Sequence, residues 1–328
     1  MTDSFLSRAL LSTSLAMGLL LAGAVPAMAA EGKLKLEKLD DRVRVEIDGQ
    51  LFTEYIFQGY DKPILYPVMG PGQTPMTRNY PMKQDVQGEA SDHPHHKSIW
   101  CAHGDVNGID FWSEKGRIEH VRFTKIDADL PQPRLVAENR WLDGEGREVA
   151  TDTTTITFLT VPGGRAIDYQ VDVHASAGDI TFGDTKEGMM AVRTHPNLRL
   201  DNDARRGVTT ANGQSVNSEG VEGKPMWGKR AAWVDYWGTI NERQVGIAIF
   251  DHPENLRHPT TWHARSYGLV AANLFGLHHF EGKQKGEGDF TVKSGDDVTF
   301  RYRIVLHEGD AKQAKVAELY GDFAGAPE

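Results

Sequence analysis

The sequence predicts an all-β protein built as a large antiparallel β-sandwich. Val43, Val45 and Ile47 alternate with charged residues, and the same period of two recurs in TTTITFLTV, AIDYQVDVHAS and VTFRYRIVL. This alternation is typical of strands with one buried face. Turn-forming residues separate the strands at Asp48-Gly49, Asp143-Gly144, Pro162-Gly163-Gly164 and Asn212-Gly213. Because helices do not alternate with the strands, a parallel α/β sheet is disfavoured.

One short helix is predicted at the C-terminus. Asp310 is a suitable N-cap, because its side chain can accept hydrogen bonds from free backbone N–H groups. The residues expected to form the apolar stripe of this helix are Ala314, Ala317, Leu319, Tyr320 and Phe323. Residues 69–90, rich in Gly, Pro and polar side chains, are predicted to form a long loop, and such loops are often functional.

Residues 1–29 are predicted to be a secretory signal peptide. Arg8 is followed by the apolar run ALLSTSLAMGLLLAGAV, and Ala27 and Ala29 fit an A-x-A cleavage site before Ala30. The alternative is an uncleaved N-terminal anchor. No later segment is long and apolar enough to span a bilayer. The mature protein is therefore expected to be periplasmic or secreted, with no membrane partner after cleavage.

Residues 30–328 are predicted to form a single domain of about 300 residues, because no Pro/Ser-rich linker divides them. The net charge of −10 argues against nucleic acid as a partner and suits neutral or cationic small molecules, or neutral glycans. The single cysteine, Cys101, excludes an internal disulfide and is expected to be a buried packing residue. The sequence does not indicate an oligomeric state.

The first candidate site lies in residues 91–112, SDHPHHKSIWCAHGDVNGIDFW, which we call the histidine segment. Imidazoles move protons near neutral pH and bind metals in company with carboxylates. His95 and His96 are adjacent, so in a strand only one would face a pocket, unless the chain bends. The segment also holds His103, Asp105, Asn107, Trp100 and Trp112 as candidate site residues.

His103, Asp105 and Asn107 alternate, so they are expected to share one face of an extended segment. Trp100 and Trp112 are candidates for stacking on sugar rings or for core packing. The alternative for the whole segment is a solvated surface loop. No H-E-x-x-H or C-x-x-C spacing is present, which weakens a zinc site.

Two further segments carry candidate residues. In residues 184–200, the glutamate segment, Glu187 can act as acid or base, and Arg193 can bind a carboxylate or paired hydroxyls. The alternative is a surface ion pair between the two. Residues 233–280, the aromatic segment, contain the candidates Trp262, His263, Tyr267, His278 and His279. His278 and His279 are expected on opposite sides of the chain, so one at most would reach the same pocket.

The runs DHPHHKSIWCAHGDVNGIDFW, KEGMMAVR and VGIAIFDHPENLRHPTTWHARSYGLVAANLFG together resemble the exported bacterial family labelled PmoA-like, over most of the mature chain. The resemblance implies a large β-sandwich similar to galactose mutarotase and to many carbohydrate-active proteins. The label refers to a methane oxygenase subunit that spans the membrane several times. Because this chain has no spanning segment after its first 29 residues, it is not expected to be a methane monooxygenase.

The resemblance also selects polar positions. Those that match the family pattern are His95, His96, His103, Asp105, Glu187, Arg193, His263 and either His278 or His279. The chain departs from the pattern at Leu274, where the family often has Pro, and at His278-His279, where it has one His with an acidic neighbour. The second departure leaves open which of the two histidines matters.

The main functional hypothesis is a carbohydrate-active enzyme of the lyase, hydrolase or epimerase type. One histidine would abstract a proton or activate water, Glu187 or another histidine would protonate the leaving oxygen, and Arg193 would bind substrate or stabilise an enolate-like charge. The absence of an evident second carboxylate beside Glu187 argues against a two-carboxylate glycosidase. The expected catalytic residues are His95, His96, His103, Glu187, Arg193 and His263, and the expected substrate-binding residues are Trp100, Asp105, Asn107, Trp112, Trp262, Tyr267, His278 and His279.

Two alternatives belong to other classes. The first is a non-catalytic glycan-binding protein in which Trp100, Trp112 and Trp262 stack on sugar rings. The second uses a divalent metal bound by His95, His103 and His263. No organic cofactor is expected, because the sequence has no Walker A motif and no dinucleotide-binding fingerprint. The enzyme hypothesis predicts that the three segments, distant in sequence, meet in space.

Overall fold

The structure is a computed structural model that describes residues 1–2 and 32–325. Residues 3–31, which hold nearly all of the predicted signal peptide, lie outside the described residues. Residues 32–325 belong to one compact unit. None of the helices in the described part of the chain is long and apolar enough to cross a membrane.

The described residues form an all-β fold with short helices near the C-terminal end of the chain. The strands of the first half are β1 (Leu34–Lys38), β2 (Arg42–Ile47), β3 (Gln50–Ile56), β4 (Ile64–Val68), β5 (Ile99–Cys101), β6 (Arg117–Asp127), β7 (Arg134–Leu142), β8 (Glu148–Val161) and β9 (Gly164–His174). Those of the second half are β10 (Ile180–Phe182), β11 (Met190–Arg193), β12 (Gln214–Asn217), β13 (Trp233–Ile240), β14 (Arg243–Asp251), β15 (Thr261–Trp262), β16 (Leu269–Asn273), β17 (Phe290–Val292) and β18 (Asp297–Glu308). The α-helices are α1 (Leu277–Glu281) and α2 (Val316–Ala324).

The strands form two large antiparallel sheets. The first has the order β1-β2-β3-β4-β5-β11-β16-β15, and the second has the order β12-β13-β14-β18-β9-β8-β7-β6. A small pair, β10-β17, lies apart from both. The main core contains apolar side chains from both large sheets, such as Phe52 and Phe158, whose rings meet edge to face. The predicted antiparallel β-sandwich is therefore confirmed.

The alternating patterns form strands as predicted. In β2, Val43, Val45 and Ile47 are buried while their neighbours are partly exposed. The longer patterns form β8, β9 and β18, which are adjacent in the second sheet. Alternation identifies these strands because it is a local property that follows from the pleat of the backbone.

The C-terminal helix is present, but it begins later than predicted. Helix α2 starts at Val316, and the Asp310 carboxylate instead accepts hydrogen bonds from the backbone N–H groups of Lys312 and Gln313 in a preceding turn. The buried stripe consists of Val316, Leu319 and Phe323, while Ala317 is exposed. This stripe packs on the outer face of the second sheet, against residues such as Phe250. The helix covers an apolar patch that the sheet would otherwise expose.

The middle of the first sheet positions the three segments singled out in the sequence. Strand β11 pairs with β5 on one side and with β16 on the other, and β15 pairs with β16. The histidine segment contains β5, the glutamate segment contains β11, and the aromatic segment contains β15 and β16. Residues far apart in sequence therefore become neighbours across four adjacent strands.

Candidate functional site

The three segments meet around one cleft, as the sequence predicted. Its volume is about 680 Å³, within the usual range for small-molecule sites. The predicted site residues that line it are His95, His96, Trp112, Glu187, His263 and Tyr267. The charged or titratable lining residues that were not among the predicted site residues are His93, Asp110, Lys186 and Arg265.

The histidine segment bends sharply before β5. His93 and Ser98 have positive φ angles of 46° and 58°, and the backbone N–H of His96 donates to the carbonyl of His93 at 3.0 Å. The bend brings the rings of His95 and His96 together, with their centroids 4.5 Å apart. Both rings line the cleft. The expectation for an extended chain, that one of them would face away, is therefore wrong here.

A stack of aromatic rings forms one side of the cleft. Tyr267 stacks on His93 at 5.4 Å, His93 on His96 at 4.7 Å, and His96 on Trp100 at 5.4 Å. Trp100 is fully buried at the inner end of the stack, so it supports His96 and is not available to bind a sugar. Trp112 meets both Trp100 and His96 edge to face.

Two buried arginines hold the bend in place. The Arg78 guanidinium donates to the backbone carbonyls of Ala90, Asp92, His93 and His96, which fixes the path of the chain. Arg78 lies in the loop 69–90 that the sequence marked as potentially functional, although its role was not predicted. Each carbonyl it engages would otherwise need another donor in this buried region.

Asp92 joins the two arginines. Its carboxylate accepts hydrogen bonds from Arg78 at 2.6 Å and from Arg193 at 3.0 Å. Burial alone would raise the pKa of Asp92, but His93, Arg193 and Arg78 together hold that pKa well below its usual range. Arg193 is therefore paired with Asp92, not with Glu187, and it does not line the cleft. Arg193 lies behind the ring stack, with its Cζ 4.6 Å from the centre of the Tyr267 ring.

The hydrogen bonds of His96 determine where its proton lies. A guanidinium can only donate, so the contact of Arg193 Nη1 with His96 Nδ1 at 3.4 Å makes Nδ1 the acceptor. The neutral ring then carries its hydrogen on Nε2. Burial, followed by the charge of Arg193, places the pKa of His96 well below the ordinary value. The ring is a neutral N–H donor at neutral pH.

His263 has the complementary arrangement. Its Nδ1 lies 2.7 Å from the carbonyl oxygen of Lys186, so Nδ1 must carry the hydrogen. Its Nε2 is buried and has no hydrogen-bond partner among the described residues. Burial lowers the pKa of His263 to about 4. His263 lines the cleft, and its Nε2 is unprotonated, which is the form that accepts a proton.

Glu187 is ionised and paired with its own neighbours. Its carboxylate meets Lys186 Nζ at 2.6 Å and accepts a hydrogen bond from the Thr185 hydroxyl at 2.7 Å. Burial opposes ionisation, but these two contacts outweigh it and lower the pKa. A carboxylate held in this form is poorly suited to protonate a leaving oxygen, which corrects the acid role considered for it. The backbone at Gly104 can approach Glu187 closely because glycine has no side chain. A Cβ at position 104 would lie 2.8 Å from the Cβ of Glu187.

His103 lies beneath the cleft, in the core. Its Nε2 donates to the carbonyl of Gly183 at 2.8 Å, and its ring packs against Phe182 and Phe275. Its Nδ1 is buried close to Gly188, where a Cβ would lie only 2.4 Å away. Burial lowers its pKa to about 4. The catalytic role expected for His103 does not fit this position, because no substrate atom can reach the ring.

The loop after β5 does not form the predicted extended segment with one face towards the cleft. Asp105 accepts a hydrogen bond from the backbone N–H of Gly108, and Asn107 exchanges hydrogen bonds with Asp179 and Thr181. Both side chains therefore stabilise their own loop, and neither lines the cleft.

The remaining predicted binding residues also lie elsewhere. Trp262 is fully buried and donates to the carbonyl of Ala231. His278 and His279 are exposed on α1, with ring centroids 5.1 Å apart, and are not on opposite sides of an extended chain. The mistake arises because a five-residue helix leaves too little sequence to show a helical period.

A second charged cluster lies behind His95. Lys62 and Lys97 share the carboxylate of Glu114, which Lys62 meets at 2.5 Å. Lys62 is fully buried, and burial lowers its pKa to about 8. Burial, followed by the charge of Lys62, lowers the pKa of His95 to about 4. His95 is thus neutral at neutral pH, and no local pattern in the sequence indicated that Lys62 would lie beside it.

The metal hypothesis lacks a ligand set. Within residues 1–2 and 32–325, no three His, Cys, Asp or Glu side chains are grouped as metal ligands would be. The proposed trio of His95, His103 and His263 is not assembled, since His103 lies in the core while the other two line the cleft.

The chain belongs to a protein family of unknown function (DUF6807), whose sequence profile matches residues 42–321. No curated protein sequence matches the chain. The resemblance to the PmoA-like family stays a prediction.

Solved structures with a similar arrangement include two galactose mutarotase relatives. One is a galactose mutarotase related enzyme from Lactobacillus acidophilus, with 8% identity and a TM-score of 0.32, covering 84% of this chain and 97% of that one. Another is a galactose mutarotase-like protein from Lactobacillus casei, with 8% identity and a TM-score of 0.32, covering 84% of this chain and 100% of that one. Similarity this low says nothing of activity, and the two-sheet architecture stands on the strand pairing of the chain itself.

Proposed function

We propose that this member of the DUF6807 family is an exported carbohydrate-active enzyme that removes a proton from a carbon beside a carbonyl or carboxyl group. Epimerisation and β-elimination both begin with this step. The observation that carries the proposal is His263, a buried neutral histidine that lines a polar cleft and whose Nε2 has no hydrogen-bond partner among the described residues. An unpaired buried nitrogen costs free energy, and a ligand bound in the cleft that His263 lines could supply the missing partner.

His96 supports the same chemistry from another wall. When a carbon loses a proton to His263 Nε2, the electron pair moves onto the neighbouring oxygen. A neutral imidazole N–H is a suitable donor to such an oxyanion, and the charge of Arg193 behind His96 favours it further. In an epimerisation a proton is then delivered to the opposite face of that carbon, whereas in an elimination the β-oxygen leaves with a proton. His95, a second neutral imidazole in the cleft, is placed to take part in that later step.

The cleft also suits a hydroxyl-rich ligand. The carboxylates of Glu187 and Asp110 can accept hydrogen bonds from hydroxyl groups, and Tyr267 offers a partly exposed aromatic ring. The glycan-binding alternative is weaker, because Trp100, Trp112 and Trp262 are buried and present no stacking surface.

The test is exchange of hydrogen for solvent deuterium. The purified protein is incubated in deuterated buffer with a panel of neutral, keto and uronic sugars, and mass spectrometry and NMR follow carbon-bound deuterium and unsaturated products. We expect His263→Gln to lower the rate by about 10²–10⁴-fold, the usual contribution of a general base. His174→Gln is the matched control, since His174 is half-exposed and pairs with Asp297 outside the cleft.

Sugar binding without exchange or elimination for any sugar in the panel would refute the enzymatic proposal. Exchange at an unchanged rate in His263→Gln would transfer the base role to another residue.

A further inference from the structure

The balance of charges at the cleft differs from that of the whole protein, which is strongly acidic. The charged lining residues balance, with two cations and two anions, and four buried cations with two carboxylates lie in ion pairs behind the lining, whereas the whole chain carries −10. The cations are Lys62, Arg78, Lys97, Lys186, Arg193 and Arg265, and the anions are Asp92, Asp110, Glu114 and Glu187. Charges at the low-dielectric wall of a cleft act strongly on a bound ligand.

Most of these charges are already committed to partners. Arg78 and Arg193 share Asp92, and Lys186 pairs with Glu187. Lys62 and Lys97 share Glu114. In both shared pairs, two cations contact a single carboxylate.

Arg265 is different, because its guanidinium has no carboxylate. It lines the cleft, and its contact is the ring of Tyr267, whose centre lies 5.4 Å from Cζ. Within the part of the chain that the structure describes, it forms no side-chain hydrogen bond and no ion pair. A guanidinium has five donors in a planar fork that matches a carboxylate, and stacking on an aromatic ring leaves this edge free.

We propose that the cleft takes a sugar that carries a carboxylate, such as a uronic acid residue, and that Arg265 binds this carboxylate. The proposal rests on the proposed function and names its substrate class. It also revises the expectation of a neutral or cationic ligand, because the total charge of a protein does not set the potential within one cleft.

A carboxylate at this point also suits the chemistry. The hydrogen on the carbon next to a carboxylate is removed with difficulty, because the electron pair must move into a group that is already negative. Removal of that proton by His263 places the additional charge on the carboxylate oxygens, where Arg265 and the N–H of His96 can stabilise it. The proton and the electron pair are both accounted for, and no oxidant or reductant is needed.

The experiment measures binding by calorimetry at low ionic strength, using pairs of sugars that differ only in the carboxylate. The probes are glucose and glucuronate, galactose and galacturonate, and mannose and mannuronate, with glucose 6-phosphate as an anion of different shape. We expect at least one uronate to bind about tenfold or more tightly than its neutral partner, as one charged hydrogen-bonded contact provides. Arg265→Gln should remove this preference, and Arg265→Lys should retain part of it.

Arg205→Gln is the matched control, because Arg205 is exposed and lies outside the cleft. Arg265→Gln removes a partly exposed side chain without a side-chain hydrogen bond, and its thermal unfolding should match that of the wild type. Equal binding of neutral and uronic sugars, a preference for the phosphate, or a uronate preference that survives in Arg265→Gln would each overturn the proposal. If neutral sugars bind and exchange deuterium through His263, the carboxylate proposal fails while the proposed function stands; if no sugar binds, both fail.

Discussion

Histidines in two regions of the molecule have opposite protonation preferences. Along the cleft, His96 and His263 are buried and His95 is partly buried, against arginines, lysines and a backbone carbonyl, and the pKa values of all three are lowered. On the outer face of the second sheet, His307 is equally buried, but its Nε2 lies 3.0 Å from the carboxylate of Asp235. That carboxylate outweighs the effect of burial and raises the pKa of His307.

The difference shows that burial alone does not decide the state of a histidine. Burial disfavours the charged ring in both regions, and the partner determines the result. Gly246 makes the second arrangement possible, because a Cβ at that position would lie 2.2 Å from the His307 ring. The cleft provides neutral rings for proton transfer, whereas the outer face holds a buried ion pair.

The largest expected effect comes from removing the carboxylate that two buried arginines share. Asp92→Asn leaves Arg78 and Arg193 without their counter-ion, and both are almost fully buried. Loss of one partner of a buried pair costs about 3–5 kcal/mol. Urea unfolding should show a loss of this size, and Asp85→Asn, at an exposed position in the preceding loop, should not. A stability equal to the wild type would show that the two arginines do not depend on Asp92.

Next is the response of the cleft to acid. Because the pKa of His263 is lowered to about 4, the unfolded state binds a proton more readily than the folded state between that value and about 6.5. The contribution of the neutral His263 ring to the unfolding free energy is therefore present at neutral pH. It is lost as the pH falls, by about 3 kcal/mol in total. We expect His263→Gln to flatten the acid side of a plot of unfolding free energy against pH. Parallel curves for wild type and variant would contradict the assignment of a neutral buried ring.

The outer-face pair should respond in the opposite direction. With the folded pKa of His307 above its unfolded value, the pair is fully stabilising below about pH 6.5, and this stabilisation is lost as the pH rises through the folded pKa. Asp235→Asn should therefore destabilise the protein most at pH 5, by about 1–3 kcal/mol, and progressively less in alkali. Thermal unfolding over a range of pH measures this difference. A destabilisation that grows with pH would exclude a charged His307.

The smallest effect is expected for an exposed pair of the same composition. His174 Nδ1 lies 2.6 Å from Asp297, but both side chains are largely accessible to water. An exposed ion pair contributes at most about 1 kcal/mol. His174→Gln should change the unfolding free energy by less than this amount in chemical denaturation. A larger loss would mean that the contrast between the cleft and the outer face depends less on burial than we infer.

Much of the fold could be predicted from the sequence. The alternation in β2, β8, β9 and β18 identified strands and their buried faces, and the lack of alternating helices identified the sandwich. The start of α2 was misplaced because an aspartate can form a turn with its own neighbours as readily as it caps a helix, and Asp310 does the former.

Only part of the candidate site could be predicted from the sequence. The density of histidines predicted His95 and His96 as site residues, and the neighbouring polar and aromatic residues predicted Glu187 and His263. All four line the cleft. The same reasoning wrongly included His103, Asp105 and Asn107, because alternation assumes an extended strand and the chain turns after Cys101. Asp92, Arg78 and Lys62 were not chosen, since isolated charged residues give no sign in sequence that they will be buried.

The sequence by itself determined the class of fold and the kinds of side chain available, because strand periodicity and residue composition are local properties of the chain. Only the tertiary structure decided which nitrogen of each imidazole is free. His263 owes its bare Nε2 to a carbonyl 77 residues earlier, and His103 is held by a carbonyl 80 residues later. Such partners are supplied by strand pairing across the sheet, and no spacing within one segment can specify them.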